Sequence, residues 1–213
     1  KIPILVGGTG LYFKALTDGL VKIPNISIKK RNQIIRLQKK LGQKKFYQQL
    51  IKIDLLIKNK INSNDIQRSI RAYEIKKFTK KSIIKWFEET SIFFEPNAFL
   101  KIYLDFPRDD LILKINKRVD KMFNNGAIKE VKKFNKLKVK RDYSPNKVIG
   151  IKEITNLIKG KSILEQTKEQ ISIKTRQYAK RQSTWYRGQM QSWQRIEPKN
   201  IKLSLNKFLN INY

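Results

Sequence analysis

A chain of 213 residues carrying 48 Lys+Arg against 17 Asp+Glu, formally +31 at pH 7, points to a polyanionic partner, although an AT-rich coding bias toward lysine, isoleucine and asparagine contributes to that charge. With neither cysteine nor histidine, disulfides, the commonest zinc and haem ligands and the usual Ser-His and Cys-His nucleophile pairs are excluded, so any catalysis must run on carboxylates, hydroxyls, amides and cations. There is no apolar run of bilayer-spanning length and no secretory leader pattern, and a cytoplasmic protein is expected. The length suits one domain, or one domain carrying a smaller insert, and the second is expected.

In chain order, the opening "PILVGGTGLYFKAL" reads as a buried strand over Ile4, Leu5 and Val6, the unbroken apolar pattern of a parallel sheet covered on both faces. It is broken by Gly7 and Gly8, with Thr9 and Gly10 completing a glycine corner where backbone can approach a ligand closely. Leu11 to Leu20 reads as a short helix ending at Gly19. Ser27 is placed to cap a basic helix through Leu41, with Gly42 as its stop, and Phe46, Leu50, Leu55 and Leu56 continue the helical pattern. Asp65 opens "DIQRSIRAYEIKKF", with Ile66, Ile70 and Tyr73 on one face and Gln67, Arg68 and Arg71 to the side.

The period then changes. Ile102, Tyr103 and Leu104 look like a second buried strand, and Pro107 with Asp109 begins another helix. On that helix Leu111, Ile115, Val119 and Met122 form an apolar stripe, and Arg118 is expected to project into it, which is costly unless an anion or carboxylate meets the guanidinium. A helix from Ile128 to Leu137 follows the break at Gly126, then the basic loop "KVKRDYSPNK", a helical "VIGIKEI" and a stop near Gly160. Ser162 and Glu165 suggest a capping box for a long helix reaching Trp185. On it Ile171, Tyr178 and Trp185 share a face, while Arg176, Lys180, Ser183 and Arg187 form a cationic ridge. "WQRIEP" suggests a last edge strand before a short terminal helix.

Taken together, "PILVGGTGLYFKALTDGL", "DIQRSIRAYEI", "INKRVDKMFNNGAIKEV", "VIGIKEI" and "TRQYAKRQSTWYRGQ", in this order, resemble the tRNA dimethylallyltransferase (tRNA isopentenyltransferase) family. The resemblance implies an α/β fold: a P-loop-type parallel sheet, here incomplete, with flanking helices and a helical insertion domain. Residues 1–22 and 100–213 would form the core, and 23–99 the tRNA-binding insertion. The implied reaction transfers a dimethylallyl group from dimethylallyl diphosphate to N6 of adenosine 37 in tRNAs reading UNN codons, with Mg²⁺ assisting departure of the diphosphate. The family begins with G-x-x-x-x-G-K-S/T, a strand and a D-S motif whose aspartate is the expected general base, and these 213 residues contain no such P-loop. The chain is therefore expected to be an N-terminally truncated member, inactive alone, with the Mg²⁺ ligands in the missing part.

Carried over by motif, Thr9 would contact the target adenosine at the mouth of the substrate channel, with Gly7, Gly8 and Gly10 forming the turn beside it. Arg31 and the segment Gln67, Arg68, Ser69, Ile70, Arg71 would touch the anticodon stem-loop from the insertion. Further tRNA contacts would come from Lys147 to Lys152 and from the Lys180 to Arg187 segment, which includes Arg181, Gln182 and Trp185. Arg118 would bind the diphosphate and, with Thr9, make up the catalytic set present here. A monomer is expected. Two other readings stay open: an adenylate isopentenyltransferase, against which the insertion and its arginines count, and a non-catalytic basic RNA-binding protein.

Overall fold

The structure is a computed structural model that describes residues 3–140, 143–203 and 206. Its residues fall into two compact units, Leu11–Phe99 and Lys1–Gly10 with Leu100–Tyr213. A first helix, α1, spans Gly10–Thr17.

The Leu11–Phe99 unit is helical. Helix α2 spans Ile28–Ile53, and its N-terminus is capped as expected, Ser27 Oγ accepting the Lys30 N–H at 3.4 Å. Gly42, expected as the stop of the first stretch, does break the helical geometry at φ 71° and ψ 163°, so that two helical stretches meet there at a kink, a positive-φ conformation that glycine adopts without a Cβ penalty. Helix α3, Ile66–Thr79, starts where Asp65 Oδ1 accepts the Arg68 N–H at 2.9 Å, and α4 spans Ile83–Glu88. Ile34, Phe46, Leu50 and Ile57 meet Ala72, Tyr73, Ile75 and Ile83 in one core, with the Phe46 and Tyr73 rings stacked 5.0 Å apart. Ile66, expected on the inward face of α3, is exposed.

In the other unit, β1 (Ile102–Leu104) pairs in parallel with β2 (Gln194–Ile196), Ile102 opposite Gln194 and Leu104 opposite Ile196. Strand β1 lies on the apolar run expected to form it, and β2 within the "WQRIEP" segment expected as an edge strand. A parallel pair needs a crossover, and the chain between supplies α5 (Arg108–Asn124), α6 (Ala127–Lys136), α7 (Ile151–Ile158) and α8 (Leu164–Gln189). Their core is Val119, Ala127, Val131, Ile154 and Ile171. Helix α8 is tied to β1 by stacking of Tyr103 on Tyr186, 3.5 Å between centroids, and by a 3.4 Å Tyr103–Ser183 hydroxyl contact.

Several expectations are corrected. The run Ile4–Val6 is exposed and unpaired with the sheet, because a strand exists only through its ladder and this segment joins neither β1 nor β2. Arg118 is exposed rather than projecting inward: α5 buries Ile115 and Val119, Leu111 is only half-buried, and that edge of the stripe opens to water, where a long cationic side chain extends. The capping residue of α8 is Ile163, whose N–H meets Gln166 Oε1 at 3.5 Å, while Ser162 Oγ bonds Thr167 Oγ1 at 2.9 Å. Tyr178 is exposed, so the aromatic face expected on α8 reduces to Ile171 and Trp185. Residues 141–142 of the basic loop and most of the expected terminal helix lie outside the described residues.

Candidate nucleic-acid interface

The glycine corner is held on α8. Gln182 Nε2 donates to the Gly8 carbonyl at 2.8 Å across 174 residues of sequence. The Trp185 indole packs so closely on Gly10 that a Cβ there would lie 2.1 Å from Cδ1 and 2.2 Å from Nε1. A Cβ on Gly8 would likewise fall 2.2 Å from Gln182 Nε2. Close approach therefore calls for glycine at Gly10, against a ring, and less strictly at Gly8, where the neighbouring atom is the end of a flexible side chain. Gly7 and Thr9 are exposed beside them. The Trp185 N–H is buried with no acceptor among the described residues, an arrangement that costs about 1–3 kcal/mol.

The same helix carries Lys180, Arg181 and Arg187 in the open, with the Arg181 guanidinium 5.6 Å from the Tyr178 ring centre. Within the Lys180–Arg187 segment, then, Gln182 and Trp185 face the corner, and the cations face solvent. Lys147 and Lys152 are exposed around α7. The start of that helix is fixed by Glu153, whose Oε2 accepts the Gly150 N–H at 2.9 Å and whose Oε1 accepts from Lys174. Burial alone would raise the Glu153 pKa; the Lys174 hydrogen bond, the backbone N–H groups of Glu153 and Gly150 and the Lys174 charge together hold it below the usual carboxylate value. A cleft of about 280 Å³ between α5 and α8 is lined by Asn116, Val119, Asp120, Lys168, Glu169, Ser172 and Arg176. Lys168 and Asp120 already pair across it at 2.8 Å. Arg118 has no ion-pair partner among the described residues and stands outside that lining.

On the Leu11–Phe99 unit, Gln67 and Arg68 are exposed on α3, and Arg68 pairs with Asp65 at 3.0 Å. Ser69 is fully buried, its hydroxyl accepting from Gln43 Nε2 at 3.2 Å, and Ile70 packs on the core. Of the segment 67–71, the polar side chains open to an outside ligand are those of Gln67, Arg68 and Arg71. Arg71 and Arg31, distant in sequence, converge on one carboxylate, Glu74, at 2.7 and 3.1 Å. Sequence reasoning missed Glu74. The available signal was an acidic residue in the apolar run "AYEI", three positions after an arginine, in a chain of charge +31.

Among the described residues no group of three or more Asp, Glu, His or Cys is arranged to hold a metal ion. Among them, too, no helix is long and apolar enough to cross a membrane.

A family model for IPP transferases matches residues 1–189. The chain belongs to the IPP transferase family. Two curated relatives bear the name tRNA dimethylallyltransferase: that of Pelagibacter ubique (strain HTCC1062), 56% identical over 203 residues, 95% of this chain and 64% of that protein, and that of Rickettsia massiliae (strain Mtu5), 41% identical over 192 residues, 90% of this chain and 53% of that protein. The chain thus spans between about half and two thirds of the length of these relatives. Among solved structures, a eukaryotic dimethylallyltransferase acting on tRNA is similar with a TM-score of 0.68 and 31% identity, covering 87% of this chain and 47% of that one. The tRNA delta(2)-isopentenylpyrophosphate transferase of Staphylococcus epidermidis is similar with a TM-score of 0.54 and 29% identity, covering 97% of this chain and 70% of that one. The mostly helical α/β architecture with its small parallel sheet matches these folds.

Proposed function

We propose that this chain is the RNA-holding and base-presenting part of a tRNA dimethylallyltransferase. The reaction moves a dimethylallyl group from dimethylallyl diphosphate to N6 of adenosine 37 in tRNAs reading UNN codons. The observation that carries the reading is the seating of the Thr9 corner on α8 through Gln182 and Trp185, beside the exposed cations of that helix. A base stacked in an anticodon loop must be drawn out before its exocyclic amine can be alkylated, at a cost of roughly a few kcal/mol that phosphate contacts elsewhere offset. Lys180, Arg181 and Arg187 on α8, Lys147 and Lys152 near α7, and Arg31, Arg68 and Arg71 on the helical unit are assigned to those phosphates.

The chemistry forms one C–N bond as the C–O bond to diphosphate breaks, and N6 gives up a proton. Thr9 is assigned to hold the extruded adenine through its exposed hydroxyl. Arg118, exposed and without an ion-pair partner among the described residues, is assigned to the leaving diphosphate. The proton acceptor and the Mg²⁺ ligands are assigned to a P-loop and D-S segment outside this sequence, and the chain alone is proposed to be inactive.

The test is prenyl transfer to an anticodon stem-loop, by this chain alone and with the P-loop segment of the Pelagibacter ubique relative fused before Lys1. The fusion should yield N6-dimethylallyl adenosine and the chain alone none. No product from a folded fusion overturns the reading. Competition by AMP as effective as by tRNA would transfer it to the adenylate isopentenyltransferase class.

A further inference from the structure

Glu74 is almost wholly enclosed, with 1% of its side chain exposed, yet two half-exposed arginines close on it: Arg31 at 51% and Arg71 at 37%. Arg31 Nε donates to Oε2 at 3.1 Å and Arg71 Nη1 donates to Oε1 at 2.7 Å, so both carboxylate oxygens are taken. The two arginines come from different helices: Arg31 belongs to the first turn of α2, 43 residues from Glu74, and Arg71 lies one turn before Glu74 on α3.

One carboxylate neutralises one guanidinium, so this cluster keeps a net positive charge at the protein surface. A buried carboxylate needing only a counter-ion is served by a single arginine. A second one brought within hydrogen-bond distance adds guanidinium–guanidinium repulsion that a further anion on the outer side relieves. The bond to Glu74 uses the Nε edge of Arg31, and its two terminal nitrogens make no hydrogen bond among the described residues. Arg71 likewise keeps Nε and Nη2. Each guanidinium is thus anchored at one edge by its inner bond and keeps a second edge whose paired N–H groups match phosphate oxygens.

We infer that Glu74 is a positioning residue that locks Arg31 and Arg71 into a two-guanidinium receptor for a backbone phosphate of RNA. The inference rests on the tRNA reading above and deepens it. Its signature is one of sign. By charge alone, removing a carboxylate from an RNA-binding face raises RNA affinity; removing the carboxylate that orients the binding arginines lowers it. Asp65, paired with Arg68 on the same helix but not enclosed by two arginines, is the internal contrast.

The experiment measures binding of an anticodon stem-loop to the whole chain as a function of salt, for the wild type, Glu74→Gln, Asp65→Asn, Arg31→Ala/Arg71→Ala and the triple variant that adds Glu74→Gln, with circular dichroism confirming folding. Glu74→Gln should weaken binding about tenfold and flatten the log K against log salt slope by about 0.7–0.9 for one lost phosphate. Asp65→Asn should leave binding equal or tighter. In the Arg31→Ala/Arg71→Ala background Glu74→Gln should produce no further loss. Equal or tighter binding by folded Glu74→Gln, or the same tenfold loss in the double-arginine background, overturns the inference while leaving the tRNA reading in place. If Glu74→Gln does not fold, the double-arginine variant decides: an unchanged affinity and slope overturn the receptor. A wild-type chain that fails to bind the stem-loop overturns the tRNA reading itself, and the inference with it.

Discussion

Gln182 reaches 2.8 Å to the carbonyl of Gly8, so a side chain in the last turns of a 26-residue helix holds a backbone corner near the start of the sequence. Trp185, one turn further on, covers Gly10 in the same way. Two motifs that stand far apart in sequence become one surface feature. Any group presented at Thr9 is consequently registered to α8 and to the cations on it.

The two glycines should respond unequally to alanine. At Gly8 the new methyl meets the end of a flexible glutamine, which swings aside with loss of one hydrogen bond. At Gly10 it meets the Cδ1 and Nε1 atoms of a half-buried indole ring that has less room to move. In a Trp86→Phe/Trp193→Phe background, Gly10→Ala should red-shift Trp185 fluorescence and expose it to quencher, and Gly8→Ala should do so only weakly. Identical spectra for the two variants would show that the contact on Gly10 does not order the corner.

Glu153 predicts a pH dependence. Its folded pKa lies below its unfolded value near 4.5, so its contribution to stability is fully present above that value and is lost as pH falls through the lowered folded pKa. Glu153→Gln should therefore destabilise the chain by about 1–3 kcal/mol at pH 7, the range for a hydrogen bond to a charged group and its buried partner. The gap from wild type should narrow as pH falls below 4.5. Denaturant melts at pH 7 and at pH 3.5 check this, and a gap of constant size would remove Glu153 as its source.

Asp65 does two jobs that substitution separates. Oδ1 caps α3 by accepting the Arg68 N–H, and Oδ2 pairs with the Arg68 side chain at 3.0 Å. Asp65→Ala should cost about 1 kcal/mol through the cap. Asp65→Asn keeps an acceptor at the cap and should stay within a few tenths of a kcal/mol of wild type, since exposed ion pairs contribute little. Equal losses for the two variants would locate the stability in the ion pair instead.

Helix starts were legible in the sequence where the chemistry is local. Ser27 and Asp65 cap where their spacing puts them, because a cap is a contact between a side chain and an amide three residues on. The strand Ile102–Leu104 was legible as an apolar run and Gln194–Ile196 only as a possible edge strand in "WQRIEP", but their pairing was not, since it joins segments separated by four helices. Ile4–Val6 shows the same limit from the other side: an equally apolar run makes no strand when nothing pairs with it. For the candidate interface, which side chains turn inward depended on helix packing: Ser69 is buried and Gln182 is bonded to the Gly8 carbonyl, whereas Arg68 and Arg187 are exposed. Glu74 escaped notice because its importance lies in a second arginine contributed by another helix.

The parallel register of Ile102 with Gln194 also has a bearing on synthesis. On the ribosome, β1 emerges long before its mate is translated, and the nascent chain must carry an unmatched ribbon while the four helices between them take shape. Closure waits until the chain has been made as far as Gln194–Ile196, so assembly of this unit depends on a segment four helices downstream of β1.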